Sequence, residues 1–413
     1  ADSSYEDVDA QWVDLNKDGF NDLVVASGGN EFYGKKPPRQ SRIYLNNANG
    51  QLQRIASVLD TIYMTAGALA IADINGDGAP DIFLGARCNV YDYGSMPASY
   101  LLLNDGKGGF SDVTKTLAPA LSTVGMVTNA SWIDLDKDGD LDLLLALEWG
   151  VVTLLENKKG QFSVRALSKE KGWWNLAKAI DVDGDGDLDI VAGNTGENFR
   201  LKPTENEPVR LYYNDFDGNG RKEQIVTYYI QQQEKPFANK MELERQLPYL
   251  KKRFLYAADF AKSSLLELLG KDKLETSQVL TVNYFSNAVL INDGKGNFST
   301  QALPWQLQLS PVKTAVPCDY NADGKSDLLL FGNYYDNNIQ MGRNDADFGS
   351  LLLGTAGGGF AVHNLPGLVV KGQVRHALPI GIAAKPSFTA LLLAKNNDSL
   401  QLVSLPGNTP SYR

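Results

Sequence analysis

Short apolar runs recur along the chain, and most of them begin directly after an acidic stretch that contains glycine. Leu143-Leu144-Leu145 and Ile82-Phe83-Leu84 are examples. Their length and the turn-forming residues that border them predict β-strands rather than helices. A second pattern runs in step with the first: an apolar strand, a turn of Gly and Asn, and then Phe or Leu, as in residues 101–110. This second pattern predicts a hairpin between two strands.

Together the two patterns predict one repeating unit: strand A, acidic loop, strand B, variable loop, strand C, glycine turn and strand D. Each unit is expected to form a four-stranded antiparallel sheet. Further glycine turns span residues 45–52, 155–162, 291–298, 353–360 and 393–400, and we assign the turn at 291–298 to the fifth unit. The seven units start near Val8, Ala68, Thr128, Asn175, Val209, Lys313 and Arg375.

The acidic loops recur every 34 to 61 residues outside one insertion, which is typical of a β-propeller rather than a sandwich. We therefore predict an all-β fold in a single domain over residues 1–413. It is a seven-bladed β-propeller of four-stranded antiparallel blades, or an eight-bladed one with a missing blade. In blade five, residues 232–275 place leucines and aromatic residues at three- and four-residue steps, which predicts a helical insertion.

The acidic stretches share a nine-residue pattern, D-x-[DN]-x-[DN]-G-x-x-[DE], that occurs six times. Side chains at positions 1, 3, 5 and 9 can point at one cation, and the carbonyl of position 7 can add a ligand. Gly at position 6 permits the sharp turn between them. The candidate metal-binding residues are Asp14, Asn16, Asp18, Phe20 and Asp22; Asp73, Asn75, Asp77, Ala79 and Asp81; Asp134, Asp136, Asp138, Asp140 and Asp142; Asp181, Asp183, Asp185, Asp187 and Asp189; Asp215, Asp217, Asn219, Arg221 and Glu223; and Asp319, Asn321, Asp323, Lys325 and Asp327.

The chemistry of these loops favours calcium. An all-oxygen ligand set of this size suits Ca²⁺ better than Mg²⁺, and the absence of His and Cys from the loops makes zinc and copper poor candidates. The loops are not EF-hands, because apolar strand residues such as Val25 and Leu145 occupy position 12 instead of Glu. A metal-free acidic turn is the alternative for one loop, but six loops with the same offsets favour metal. We expect up to six structural Ca²⁺ ions.

Charge and cysteine content narrow the functional classes. The formal net charge is −10, and positions 1, 3, 5 and 9 of the six loops hold twenty carboxylates, so six Ca²⁺ ions would change the balance to about +2. The acidity is thus local to the loops and gives no support to nucleic-acid binding. No apolar run is long enough for a membrane span.

We interpret Cys88 and Cys318 as small core residues, with a disulfide as the alternative. Weak calcium sites fill only where calcium is plentiful, which indicates an exported protein.

Strand alternation predicts the placement of the loops. The A–B and C–D loops share one face of the fold, and the B–C loops share the other, where we also expect the helical insertion to rest. The B–C loops are rich in residues that suit sugars or peptides. These residues are Asn30, Phe32, Tyr33, Asn89, Tyr91, Tyr93, Trp149, Asn194, Asn198, Phe199, Asn333, Tyr334, Tyr335 and Asn338. The alternative is that their rings pack the loops onto the sheets. Lys251, Lys252 and Arg253 form a basic cluster that we interpret as a solvated face rather than an anion site.

Evidence for an enzyme is weak at the sequence level. The two histidines, His363 and His376, lie in the last two units and neither is near a Ser or Cys motif. Nearly all the clustered carboxylates belong to the metal loops, so a glycosidase-type pair is not indicated. We therefore expect no catalytic residues and no enzymatic activity.

The repeats resemble the FG-GAP/VCBS repeats of integrin-α-like calcium propellers, because strand and turn patterns accompany every acidic loop. Residues 25–32, 213–220, 246–254 and 343–349 are in addition similar to large bacterial VCBS-repeat envelope proteins related to the cartilage acidic protein and UnbV group. The resemblance implies Ca²⁺ in the A–B loops and a secreted or surface-displayed module, at the bacterial outer membrane or elsewhere in the cell envelope. It also implies a further repeat before residues 4–8, so that the chain would be part of a longer protein.

The function expected from these observations is a non-enzymatic, calcium-stabilised β-propeller that binds protein or glycan partners at the face opposite the metal loops. Two alternatives stay open: a carbohydrate-binding lectin or polysaccharide-active enzyme, and an accessory subunit of an outer-membrane nutrient-uptake complex. The expected partners are a protein or a glycan, an envelope complex, or another part of the same longer protein.

Overall fold

The computed structural model describes residues 2–355, 358–365, 367–382 and 385–404. Within these residues the first two sheets each follow the order of the sequence, and in the third β9 to β12 do so. Sheet 1 contains β1 (Asp7–Val13), β2 (Asp22–Ser27), β3 (Arg42–Asn46) and β4 (Leu52–Ile55); sheet 2 contains β5 (Thr65–Ala72), β6 (Asp81–Cys88), β7 (Tyr100–Asn104) and β8 (Phe110–Asp112); sheet 3 contains β9 (Met126–Ile133), β10 (Asp142–Gly150), β11 (Thr153–Lys158) and β12 (Gln161–Ala166). A fifth, two-residue strand of sheet 3, β13 (Gly172–Trp173), pairs with β10.

Four further sheets complete the described fold. Sheet 4 contains β14 (Leu176–Ile180), β15 (Asp189–Gly193), β20 (Ala288–Asn292) and β21 (Phe298–Ala302); sheet 5 contains β16 (Val209–Asn214), β17 (Glu223–Ile230), β18 (Gln233–Pro236) and β19 (Gln278–Val282); sheet 6 contains β22 (Val312–Cys318), β23 (Asp327–Gly332), β24 (Ser350–Gly354) and β25 (Phe360–His363); sheet 7 contains β26 (Val374–Ile382), β27 (Lys385–Lys395) and β28 (Gln401–Ser404). The prediction of an all-β fold of antiparallel sheets is confirmed, and seven sheets fit a seven-bladed propeller.

The helices are short. They are α1 (Thr114–Leu117), α2 (Lys240–Gln246), α3 (Tyr249–Arg253), α4 (Ala257–Lys262), α5 (Leu265–Leu269) and α6 (Lys271–Glu275), with single 3-10 turns at Pro37–Arg39, Val58–Thr61, Pro119–Ser122 and Trp305–Gln308. Helices α2 and α3 meet at Pro248, and Gly270 ends α5 with a φ of 84°. No helix in the described ranges is long and apolar enough to span a lipid bilayer.

The nesting of sheet 5 inside sheet 4 was not predicted. Strand β15 pairs with β20, with Ile190 opposite Leu290, so the turn at residues 291–298 belongs to sheet 4 and its assignment to the fifth unit was wrong. In the sequence, the strands and helices of sheet 5 lie between β15 and β20. The apolar pattern could not reveal this, because the apolar run of β20 is equally suited to pair with a strand of either sheet.

The position of the helical segment also differs from the prediction. Strands β17 and β18 are joined by a tight hairpin at Gln231 and Gln232, so the helices lie between β18 and β19 and not in a B–C loop. They do not rest opposite the metal loops. Phe216, the second residue of the fifth acidic loop, is buried in one cluster with Leu243, Leu250 and other leucines of the helices.

The described chain divides into two compact units. The first comprises Ala1–Val127, Glu170–Gly172 and Leu201–Tyr284, and the second comprises Thr128–Lys169, Trp173–Arg200 and Phe285–Arg413. In the first unit, Val24 and Ile43 of sheet 1 and Leu84 of sheet 2 share one apolar core. In the second unit, a core joins sheets 4 and 6, and another joins sheets 6 and 7. Each of these cores is a sheet-against-sheet layer, which buries the apolar runs seen in the sequence.

Candidate metal centres

The six acidic loops, called loops 1 to 6, connect the first two strands of sheets 1 to 6. They span residues 14–22, 73–81, 134–142, 181–189, 215–223 and 319–327. In every loop the Asp at position 1 accepts a hydrogen bond at Oδ2 from the backbone N–H of position 6, at 2.7 to 3.1 Å. The backbone of the glycine at position 6 therefore lies against the carboxylate of position 1 in every loop.

Positions 3 and 5 repeat a second arrangement. The side-chain oxygen of position 3 accepts from the backbone N–H of position 5, at 2.9 to 3.3 Å. The side-chain oxygen of position 5 accepts from the N–H of position 7, at 2.7 to 2.9 Å. The three side chains are thus held by the loop's own backbone, so their oxygen atoms are arranged before any ion is considered.

Position 9 is the buried end of each loop and the first residue of the following strand. In all six loops one of its carboxylate oxygens accepts from the N–H of position 2, at 2.8 to 3.3 Å. Position 2 is apolar or aromatic in every copy, and Leu15, Val182 and Phe216 are among the buried examples. The loop is therefore anchored to the core by a side chain that the sequence pattern had treated as variable.

A hydrogen bond that recurs in five of the sheets joins the acidic loops to the glycine turns. In sheets 1, 2, 3, 4 and 6, the second oxygen of position 9 accepts a hydrogen bond of 2.7 to 2.8 Å from a backbone N–H at the end of strand C. The donor is the last residue of the strand, or the last but one in sheet 3. In four of these sheets that residue is an asparagine, whose Nδ2 also donates to the carbonyl of position 8. These asparagines are Asn46, Asn104, Asn157 and Asn292. In each of these sheets the A–B and C–D loops therefore lie together, as expected.

Burial raises the pKa of the carboxylates at position 9, which favours binding of a cation. It raises the pKa of Asp81, Asp142 and Asp189 to about 6, although backbone N–H donors oppose the shift and neighbouring carboxylates add to it. Burial also raises the pKa of Asp22 and of Glu223. Each of these groups is thus costly to ionise in the protein alone, and a bound cation would remove that cost.

Two observations test whether the residues fit a metal ion. In loops 3, 4 and 5, three carboxylates each offer an oxygen, and these oxygens lie within 4.8 Å of one another. In loop 3, Oδ1 of Asp134 is buried and has no hydrogen-bond partner. A buried carboxylate oxygen without a partner is unfavourable, and a cation would satisfy it. The donor set consists of oxygens only, so it fits calcium.

Two lysines that the sequence reasoning missed connect neighbouring loops. Lys17 of loop 1 donates from Nζ to the carbonyl oxygen of Asp77 in loop 2, at 3.2 Å. Lys137 of loop 3 donates to the carbonyl of Gly186 and to Oδ1 of Asp187 in loop 4, at 2.9 and 2.8 Å. Both occupy position 4 of a D-x-[DN]-K-[DN]-G sequence, and that shared position was the available signal.

The sequence predicts that position 7 supplies a backbone carbonyl ligand. The structure shows the contacts and the exposure of the side chains at this position. The side chain of Asp187 pairs with Lys137, and that of Asp140 accepts from the N–H of Lys159 at 2.9 Å. Ala79 is buried, whereas Phe20 is exposed. The metal-ligand roles of these residues, including Arg221 and Lys325, stay predictions.

The residues predicted for the B–C loops differ in burial. Trp149, Phe199, Asn194 and Asn333 are buried, as the packing alternative expected for such residues. Tyr33 and Tyr91 are exposed, at 75% and 65%, with ring centroids 6.2 Å apart and an angle of 37° between the rings. The remaining predicted residues, such as Tyr334 and Asn338, are partly buried or exposed.

The histidines and cysteines are the side chains best suited to covalent catalysis, and the structure places each of them. His363 is on strand β25 and His376 on β26, and both are exposed. Cys88 and Cys318 are buried free thiols, which confirms their interpretation as core residues. Burial raises the pKa of Cys318 to about 12, so this thiol is unreactive at neutral pH.

Comparison with known proteins identifies the repeats. A model of the FG-GAP-like repeat matches residues 14–84, 90–145 and 134–192, which contain loops 1 to 4. No curated protein matches the chain. Loops 5 and 6 lie outside the matched residues but share the hydrogen bonds of positions 1, 3, 5 and 9 within the loop.

Several solved structures are similar to this one over most of their length. The V. cholerae biofilm matrix protein Bap1 has 12% identity and a TM-score of 0.40, covering 99% of this chain and 78% of Bap1. The Dos1 propeller has 8% identity and a TM-score of 0.38, covering 97% and 83%. Rhamnogalacturonan lyase YesW has 12% identity and a TM-score of 0.36, covering 99% and 73%. These values are too low to carry an argument about function. What the comparisons establish is that residues 14–84 and 90–192 of this all-β chain match a model of the FG-GAP-like repeat.

Proposed function

We propose that this protein is a non-enzymatic β-propeller that calcium stabilises and that binds a glycan or protein partner outside the cell or at the surface of its envelope. Among FG-GAP-like proteins, we assign it to the large bacterial VCBS-repeat group related to the cartilage acidic protein and UnbV. Segments 246–254 and 343–349 support that assignment, since they lie outside the repeat pattern itself.

The observation that carries the calcium proposal is the common hydrogen-bond frame of the six loops, together with the unpartnered Oδ1 of Asp134. In each loop, positions 1, 3, 5 and 9 would hold the ion. The chemistry that Ca²⁺ supplies there is neutralisation of crowded carboxylates, which stabilises the folded loops. Because such loops bind weakly, with Kd of about 10⁻⁴–10⁻³ M, they would fill in a calcium-rich compartment, which supports an extracellular or envelope location.

The neighbouring tyrosines of two B–C loops support the recognition role. Tyr33 and Tyr91 belong to the B–C loops of sheets 1 and 2 and present two aromatic rings to solvent. Tyr91 has a φ of 55°, which is unfavourable for a side chain with a Cβ, and its hydroxyl donates to the carbonyl of Glu31 at 3.1 Å. Neighbouring exposed aromatic rings are suited to the apolar faces of sugar rings, which favours a glycan partner.

Calcium titration tests the first half of the proposal. Isothermal titration into metal-free protein should show binding heat, and the melting temperature should rise with calcium. A tenfold excess over Kd contributes about 1.4 kcal/mol for each site. Asp134→Asn should lose one site from the stoichiometry. The matched control is Asp105→Asn, an exposed residue of the sheet 2 glycine turn outside the loops. Equal melting curves in calcium and in chelator would contradict the proposal.

A glycan array with calcium-saturated protein tests the second half. Binding of a sugar by the wild-type chain should be lost in Tyr33→Ala and in Tyr91→Ala. It should persist in Trp305→Ala, which removes another ring that is 69% exposed in a different part of the chain. Binding that survives both tyrosine changes would place the glycan elsewhere. Turnover of a polysaccharide by the purified protein would show that the non-enzymatic assignment is wrong.

A further inference from the structure

The turn between α3 and α4 exposes two large apolar side chains. Phe254 is 9% exposed and packs edge-on against Phe260, with ring centroids 6.1 Å apart. The next two residues, Leu255 and Tyr256, are 79% and 70% exposed. Phe254 therefore anchors the turn in the apolar core of the helical segment, while its neighbours are held in solvent, where they gain no burial.

Three basic residues come directly before these apolar side chains. Lys251, Lys252 and Arg253 form the last turn of α3 and are exposed. None of the ion pairs found within the described ranges involves them. The guanidinium of Arg253 lies 5.5 Å from the ring centroid of Phe254. We call Lys251, Lys252, Arg253, Leu255 and Tyr256 the basic tip.

The charge of this region is opposite to that of the chain. The basic tip holds three basic residues and no acidic one, a charge of +3, whereas the chain carries −10. The acidic side chain within electrostatic reach of Arg253 is Glu267. At physiological ionic strength, charges act over about 8 Å, so a surface that approaches the tip meets this local balance rather than the net charge. The tip thus attracts an anionic surface although the protein as a whole is acidic.

We propose that the basic tip docks this protein on an anionic lipid surface. Tyrosine is favoured at the level of lipid headgroups, a neighbouring leucine can enter the boundary of the acyl region, and lysine and arginine pair with anionic headgroups. The charge of the tip complements such a surface. An acidic protein is a less suitable partner, because lysine is depleted at protein interfaces. The proposal concerns a surface separate from Tyr33 and Tyr91 and does not depend on calcium or glycan binding.

The tip has a fixed place in its unit. Leu250 and Phe254 lie in the same buried cluster as Ile225 of strand β17. The hydroxyl of Tyr249 donates to the carbonyl of Leu268 at 2.9 Å. Lys235 of strand β18 donates to the carbonyl of Ser263 at 2.7 Å. Because the segment is attached to sheet 5 at several points, the exposed residues are presented by an ordered support, and docking requires little ordering of the chain.

Co-flotation of the full chain with vesicles tests the proposal. Vesicles of phosphatidylcholine with phosphatidylglycerol should bind the wild-type protein, and vesicles of phosphatidylcholine alone should not. A variant with Lys251→Gln, Lys252→Gln and Arg253→Gln should bind about 100-fold more weakly, since each basic residue near an anionic surface contributes about fivefold. A variant with Leu255→Ser and Tyr256→Ser should bind at least tenfold more weakly. High salt should release the wild-type protein.

Matched controls change the same properties elsewhere. Lys35→Gln, Lys36→Gln and Lys107→Gln alter three exposed lysines and give the same net charge as the basic-tip variant. Trp305→Ser removes an exposed apolar ring outside the tip. Both controls should bind as the wild type does. Because all the substituted side chains are exposed, melting curves should match the wild type and confirm folding.

Three outcomes would overturn the proposal. The wild-type chain could fail to bind the anionic vesicles, or it could bind neutral vesicles equally well. The control variants could lose as much binding as the tip variants, which would mean that net charge acts and not the tip. Absence of vesicle binding, combined with tip-dependent binding to poly-glutamate, would instead identify an acidic protein as the partner. Failure here would leave the calcium and glycan results unaffected.

Discussion

The buried carboxylates of the acidic loops lead to a prediction about pH. Burial raises the pKa of Asp81, Asp142 and Asp189 from 3.8 to about 6 in the folded protein without metal. A raised pKa means that the folded state holds the proton more tightly than the unfolded state does. These groups therefore stabilise the fold fully below about pH 4, and that contribution is lost as the pH rises through about 6. Metal-free protein should thus become less stable between pH 5 and pH 7.5.

The size of the effect follows from the shift. A change of about two pKa units corresponds to about 3 kcal/mol for each aspartate. Roughly half of this falls between pH 5 and pH 7.5, or about 1.5 kcal/mol for each group and about 4 kcal/mol for the three. With calcium bound, the sign reverses, because protons compete with the ion for the same carboxylates. The free energy of unfolding should then rise over the same pH interval.

Urea denaturation at the two pH values measures the effect, with and without excess calcium. The metal should be removed by dialysis, since chelators also change affinity with pH. Asp81→Asn should remove about 1.5 kcal/mol from the pH dependence of the metal-free protein. Asp347→Asn is the control: burial raises the pKa of Asp347 to about 6, but this residue lies outside the acidic loops, so its contribution should be the same with calcium. A metal-free stability that is constant or rises from pH 5 to 7.5 would refute the reasoning.

Three further changes test particular contacts. Gly332→Ala should prevent stable folding of its unit, because a Cβ there would lie 1.7 Å from the carbonyl oxygen of Pro311; circular dichroism and yield of soluble protein would show it. Asn287→Ala should lower the free energy of unfolding by about 3 kcal/mol or more, because the buried side chain makes four hydrogen bonds to backbone groups; unchanged urea midpoints would contradict this. Lys17→Met removes the bond to Asp77 at the surface and should cost less than about 1 kcal/mol by the same measurement, so a larger loss would mean that the bridge couples the two loops.

The strands and acidic loops could be predicted because each is specified locally. Runs such as Leu143–Leu145 fill a buried strand, and the nine-residue pattern places its acidic side chains and its glycine at fixed offsets. The backbone bonds that shape each loop are also local, since they join residues at most seven positions apart. For the same reason, the repeat could be counted correctly without knowledge of which sheet packs on which.

The pairing of β15 with β20 could not be predicted, because nothing in the intervening chain marks it. The hairpin at residues 291–298 has the same turn signals wherever it pairs, so the nearest preceding unit was the natural choice. The site of the helical segment depended on Phe216, which the pattern counted as a variable loop position. Burial of that ring under Leu243 and Leu250 is a tertiary contact, and no local spacing reveals it.

Loop 5 differs from the other loops in what supports it. In sheets 1 to 4, an asparagine of strand C donates a hydrogen bond to the carboxylate of position 9 and so joins the acidic loop to the glycine turn. Among the hydrogen bonds of the described residues, none joins a strand-C asparagine to Glu223 of loop 5. The helical segment takes this place: Phe216 is buried among its leucines, and Nζ of Lys273 in α6 donates to the carbonyl oxygen of Asp215. An ion in loop 5 would therefore stabilise the helices as well as the loop, and the helices would in turn favour the ion, because the coupling between two linked equilibria is reciprocal.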